Sequence, residues 1–489
     1  MGSDRRREEL VSARKAAGLT QENLAEVMSV DRSTVIRWEA GDHAPLPYQW
    51  PKLAKALGRT ADELRGLIGL RLLADTPELD SSLEPAFGWL DRRAGWSAGT
   101  ARARVASAEP ARPQSETSAG RSRVAAVLAE YYNEPVPGHS AYAARCGQVE
   151  VATSILTQPG WLDLACPLTA KNDRLVLSAS DEAARELVDE CAAVRRLAAA
   201  AAEDVRIADV PLYRLTDVQI RPDGIAGRVQ LVPFVEYALS MDLLERELRE
   251  SRAVQPGRMP LRDRYLPDLH SVLDLAGRLC AGGVLALTAI ARPADPFRGE
   301  ADYLMLVQER SQHVVNATRR LAVIPKSFHG PLANQRADAR IGATLRRELE
   351  EELFGRGDVD RTTGVQRAAD PMHPARLSGP MRWLTEQPGR LRMECTGFGL
   401  NLVSGNYEFA SLVVIDDEEF WPRFGGDVEA NWEAAGLRQY STLDGDLITE
   451  LISDETWSNE GLFAFLQGLR RLAEIGGERV RIPAVELGS

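Results

Sequence analysis

Long apolar runs are missing from this chain of 489 residues. The most apolar stretch, Cys280 to Ala291, contains two glycines and falls short of the eighteen or more residues that a membrane-crossing helix requires. No membrane partner is expected. No secretory leader is expected: Met1 is followed by Asp4, three arginines and two glutamates, with no apolar region behind them. Cysteine is scarce. The five present are odd in number, scattered, and show no C-x-x-C spacing, which argues against a disulfide framework or a zinc site. Together these absences point to the cytoplasm. The chain also lacks a positive balance, with a net charge of −12. What remains, 44% hydrophobic and 27% charged, is an ordinary globular composition, and the length calls for several domains rather than one core.

The charge is unevenly spread. Residues 1–71 hold 12 Lys and Arg against 10 Asp and Glu, so this head is +2 and the rest carries −14. A weakly basic head on an acidic body suits local contact with a polyanion by the head alone. One such head neutralises few charges of a polyanion, so useful binding calls for a homodimer.

The head contains Ala17 to Gly41, AGLTQENLAEVMSVDRSTVIRWEAG. Thr20 is a good N-cap, with Leu24, Ala25 and Met28 at helical spacing behind it. Ser29-Val30 makes a turn. Asp31 can cap a second helix that turns Val35 and Trp38 inward and leaves Arg32, Ser33, Thr34 and Arg37 on the other side. Gly41 suits the position after that helix. A helix, a tight turn and a second helix with a polar exposed half form a DNA reader. The stretch resembles the helix-turn-helix of the XRE family, which contains the lambda and Cro repressors. Leu19-Thr20-Gln21, Leu24-Ala25, Ser33-Thr34-Val35 and Arg37-Trp38-Glu39-Ala40-Gly41 carry the resemblance. Ser29 stands where the family usually has Gly. The resemblance implies a compact bundle of about five helices, with Gln21, Arg32, Ser33, Thr34 and Arg37 as the DNA-binding residues.

Beyond the head, Phe87, Trp89 and Trp96 suggest a packed segment. Val105 to Arg121 is rich in Ala, Ser, Pro, Glu and Gly and reads as a flexible linker. From Ser122 to Gly277 the patterns are α+β. Two β-like runs, Leu212 to Gln219 and Ala226 to Val235, flank the turn signal Arg221-Pro222-Asp223-Gly224. After Arg278 strands dominate: Gly283 to Ala291, Tyr303 to Gln308 and Leu321 to Ile324. Then come a loop at Pro325 to Gly330, a helix from Arg336 to Phe354, and a hairpin of Gly397 to Val403 with Glu408 to Ile415. Trp457 to Leu472 closes the region as an amphipathic helix.

Arg346-Arg347-Glu348-Leu349-Glu350-Glu351-Glu352 is the chemically loaded segment. On an α-helix Glu348, Glu351 and Glu352 share one face, where clustered carboxylates repel unless a cation joins them. Hard oxygen donors suit Mg²⁺ or Mn²⁺. The bland alternative is a solvated face held by Arg346–Glu350 and Arg347–Glu351 pairs. The order of strands, loop, helix, hairpin and helix resembles the Nudix fold, and Arg347, Glu348, Leu349, Glu351 and Glu352 match the R-E-U-x-E-E heart of its box. That resemblance implies three metal-binding glutamates and a nucleotide or nucleoside diphosphate ligand, with Lys326, His329 and Arg347 as candidate ligand contacts. The frame departs from the family: Ala333, Ala339 and Phe354 stand where it has Gly, Glu and Gly.

The expected architecture is therefore multidomain. An all-α helix-turn-helix head spans 1–75, an aromatic segment and linker 76–121, an α+β middle region 122–277, and an α/β/α Nudix-like domain 278–480. The expected function is a transcription regulator that senses a nucleotide-type metabolite. The alternatives are a metal-dependent hydrolase of nucleoside diphosphate derivatives and a protein-binding scaffold.

Overall fold

A computed structural model describes residues 8–28, 30, 32–40, 45, 49–59, 83–108, 120–179, 188–203, 205, 207, 209–254, 259–311, 317, 319–354, 372–428 and 434–488. The chain divides into two compact units, Met1–Glu78 and Leu79–Ser489.

The head unit presents four helices among its described residues: α1 (Glu8–Ala16), α2 (Gln21–Met28), α3 (Arg32–Ala40) and α4 (Trp50–Leu57). Thr20 caps α2 as its sequence position suggests, its Oγ1 accepting the Asn23 N–H at 3.1 Å. Gly58 ends α4 at φ 61°, a left-handed conformation that a Cβ would disfavour. Leu10, Leu24, Met28, Val35, Trp38 and Leu53 meet in one apolar centre. Ser29, Asp31 and Gly41, expected to form a turn and the ends of the second helix, lie outside the described residues, as do residues 60–72.

The longer helices of the body are α5 (Glu84–Arg93), α6 (Thr100–Ser107), α7 (Arg121–Tyr131), α8 (Glu190–Glu203), α9 (Leu243–Val254), α10 (Ile341–Glu348), α11 (Gly379–Glu386), α12 (Gly445–Ser453) and α13 (Asn459–Ile475). Its strands are β1 (Ser140–Cys146), β2 (Val149–Thr157), β3 (Cys166–Pro167), β4 (Asp173–Leu177), β5 (Pro211–Arg221), β6 (Gly224–Pro233), β7 (Gly282–Arg292), β8 (Asp302–Arg310), β9 (Leu321–Val323), β10 (Lys326–Phe328), β11 (Leu391–Asn401), β12 (Tyr407–Ile415), β13 (Ala434–Ser441) and β14 (Val485–Leu487). The large mixed sheet runs β13-β8-β7-β12-β11-β2-β1-β14, with β7 and β12 parallel at its centre. β4, β6 and β5 form a second, small sheet.

Every residue of β7 is buried. Leu285, Leu287 and Ala289 face one core with Phe465, Leu466 and Leu469 of α13. Val284, Ala286 and Ile290 face the other, with Leu345 of α10 and Leu349 after it. A strand covered on both faces reads as a continuous apolar run, which is why Cys280 to Ala291 stood out. The α13 helix approaches so closely that a Cβ on Gly468 would fall 2.8 Å from the Leu287 Cβ.

The expected division near residue 277 does not separate two cores. β1 and β2, from the middle region, lie in the same sheet as β11 and β12, with Leu156 opposite Leu400. One apolar core runs from Leu83 to Val428. Phe87 is buried in that core, and Trp89 and Trp96 pack against it. The linker expected from Val105 starts on a helix instead, because Ala101 and Val105 turn into the core. Arg121, at its other end, begins α7, and residues 109–119 lie outside the described residues.

Candidate nucleic-acid interface and the acidic helix

In α3 the apolar positions recur at helical spacing. Val35 and Trp38 are buried, and Arg32, Ile36 and Arg37 are exposed. Thr34 is half-buried on the flank, and the Ser33 side chain lies outside the described residues. Arg32, Thr34 and Arg37 thus ride on one short helix held by a common core, and Gln21 begins the helix before it.

Beneath this surface a chain of polar contacts ties the helices together. Arg14 of α1 donates from Nε to Glu39 Oε1 at 2.5 Å and from Nη2 to Oε2 at 3.3 Å. Its Nη1 donates to the Leu19 carbonyl at 2.8 Å. Gln21 Nε2 donates to the same carboxylate, at Glu39 Oε2, at 2.7 Å. Arg32 Nε lies 2.7 Å from Glu22 Oε1 at the surface. Glu39 therefore fixes both the α1–α3 packing and the rotamer of Gln21. In the sequence Glu39 is marked only as part of the helix-turn-helix motif. Its position one residue past the inward Trp38 was the available signal.

Residues 10–64 match the helix-turn-helix family. The match supports a DNA-binding regulator and agrees with the geometry of α2 and α3. No curated protein matches the chain. Among the described residues no helix is long and apolar enough to cross a membrane.

The acidic helix is arranged differently from either expectation. α10 stops at Glu348, and Leu349–Leu353 continue as a π-helical turn. That wider turn breaks the spacing that would stack Glu348, Glu351 and Glu352 on one face. Glu348 is buried and takes Arg347, whose Nη2 lies 2.8 Å from Glu348 Oε1. Glu352 is buried and accepts the Lys326 backbone N–H at 3.2 Å. Glu351 is half-buried. Glu350, expected to be solvated, is buried and accepts the Ser378 N–H at 2.8 Å. Among the described residues no group of three or more His, Cys, Asp or Glu side chains could hold a metal ion. As placed, these carboxylates do not fit Mg²⁺ or Mn²⁺.

The candidate ligand contacts also turn inward. Arg347 donates to the Gly330 carbonyl at 3.1 Å, and Glu348 and Glu351 hold its guanidinium charged against the opposing effect of burial. His329 is fully buried; burial, then Arg347, push its pKa down to about 3, so the ring is neutral. Pro325 to Gly330 is no open loop, because Lys326–Phe328 form β10 against β7. The Lys326 ammonium lies 2.8 Å from Glu460 Oε1 inside the protein. Glu408 sits in the same cluster: Asn401 Nδ2 donates to Glu408 Oε1 at 3.5 Å and to Glu460 Oε2 at 3.2 Å. Burial, then the Glu460 charge, push the Glu408 carboxyl up to about 8. Nothing in the sequence marked Glu408 or Glu460, since one lies in an apolar strand and the other at a helix start.

Proposed function

We propose that the protein is a sequence-specific, double-stranded-DNA-binding transcription regulator, working as a cytoplasmic homodimer. The observation that carries this reading is the exposed face of α3, with Arg32 and Arg37 on a helix whose other side is locked by Val35, Trp38 and Glu39. Such a face offers guanidinium donors to base edges and phosphates, while the buried side fixes its orientation.

For the body we propose a response to a nucleotide-type metabolite. What supports this is the R-E-L-x-E-E segment, which runs from the end of α10 into the π-helical turn beside a mixed sheet. No step is assigned to a metal, and nothing in the glutamate arrangement favours the hydrolase alternative.

Selection of bound DNA from a random pool by the full chain, with and without nucleotides, tests both parts. Enrichment of one sequence is expected. Arg37→Ala should then cost about 1–3 kcal/mol on that sequence if Arg37 reads a base, and weaken all sequences equally if it touches phosphate. Absence of any sequence preference would refute the regulator reading. Selection unaltered by every nucleotide tested would refute the sensing role.

A further inference from the structure

Ile36 is out of place on a helix proposed to read DNA through charged and polar groups. It is 41% exposed, and of the six large hydrophobic side chains exposed among the described residues it is the one on α3. Arg32 lies one helical turn before it on the same face and Arg37 immediately follows; both are exposed. The apolar group thus stands between two cations on the face opposite Val35 and Trp38. A polyanion drawn to those arginines would bring its groove against Ile36.

Resting on the DNA-binding reading above, we infer that Ile36 is a specificity-determining residue that packs on the 5-methyl group of a thymine in the major groove. Thymine presents an apolar group there, and an isoleucine can recognise it by removing it from water. The same side chain offers no hydrogen-bond partner. Placed over cytosine it would cover the N4 amino group without replacing its water, so cytosine is disfavoured at that position. Arg32 and Arg37 supply attraction and register, and Ile36 supplies discrimination at the step between them.

The test uses the full chain and its selected DNA site. Each thymine is replaced, one at a time, by deoxyuridine, which removes only the methyl group. Binding is measured for the parent, Ile36→Ala and Ile36→Val. At one thymine the parent should lose about fourfold in affinity, the worth of one buried methyl group. Ile36→Ala should show almost no loss on the same exchange, and Ile36→Val should keep part of it. Ile36 is exposed on a helix, so neither replacement removes a core contact. Equal losses for the parent and Ile36→Ala at every thymine would overturn the assignment while leaving DNA binding in place. A selected site without thymine would overturn it as well. A parent that selects no sequence would refute the DNA-binding reading itself, and this inference with it.

Discussion

Replacing Arg14 with Ala should loosen the whole reading unit although Arg14 is buried against Glu39 rather than on the exposed face of α3. Arg14 and Glu39 have side chains only 8% and 6% exposed, and they share two contacts. Removing the guanidinium leaves the Glu39 carboxylate buried with Gln21 as its remaining described donor. Breaking one side of such a pair costs about 3–5 kcal/mol. A unit of this size is held by only about 4–12 kcal/mol in total. Hydrogen exchange of the full chain, followed by peptide mass spectrometry, separates head from body. Peptides from α2 and α3 should lose protection by roughly 10²–10⁴-fold, with body peptides unchanged as the internal reference. Pairing Arg14→Leu with Glu39→Leu should recover most of that protection, because an apolar pair replaces a buried ionic one. DNA binding should remain weakened in the pair, since Gln21 has lost its anchor. Unaltered protection of α2 and α3 in Arg14→Ala would refute the reasoning.

Two further outcomes concern the body. The Glu408 carboxyl is pushed up to about 8 from an ordinary 4.5, so the folded state holds its proton more tightly than the unfolded chain. The stability linked to it is full below about pH 4.5 and is lost as pH rises through 8. The unfolding free energy from urea titrations should fall between pH 5 and pH 8.5 by on the order of a few kcal/mol more for the parent than for Glu408→Gln; identical falls would exclude Glu408 as the titrating group. Millimolar Mg²⁺ or Mn²⁺ should leave the melting temperature of the full chain unmoved. A rise that disappears when Glu351 and Glu352 are both changed to Gln would show that the carboxylates regroup around a cation.

The head was legible because its signals are local. Thr20, Val35 and Trp38 act through their own helices, by a cap or by the side that a single helical period gives them. The strands β7 and β12 were legible for a related reason, since burial on both faces leaves an unbroken apolar run. The acidic helix misled because its meaning is not local. Sequence spacing assumes 3.6 residues per turn, and the π-helical turn at Leu349–Leu353 changes which carboxylates are neighbours. Lys326, Glu408 and Glu460 come from β10, β12 and α13, and only the packing of that helix on the sheet brings them together. β1 and β14 were missed for the same reason: their partners are 341 residues apart, at Arg145 and Glu486.

The order of strands in the large sheet also sets a timetable for synthesis. β2 is complete early, yet its neighbour β11 follows about 240 residues later, with Leu156 waiting for Leu400. At about 5–20 residues per second the wait is roughly 10–50 s. For that interval one side of β2 is an open edge bearing Ile155 and Leu156, and α13, which covers its face, has not yet been made. The head suffers no such delay, because its helices pair with near neighbours in the chain. A ribosome carrying this protein therefore displays a complete helix-turn-helix head well before the sheet of the body can close.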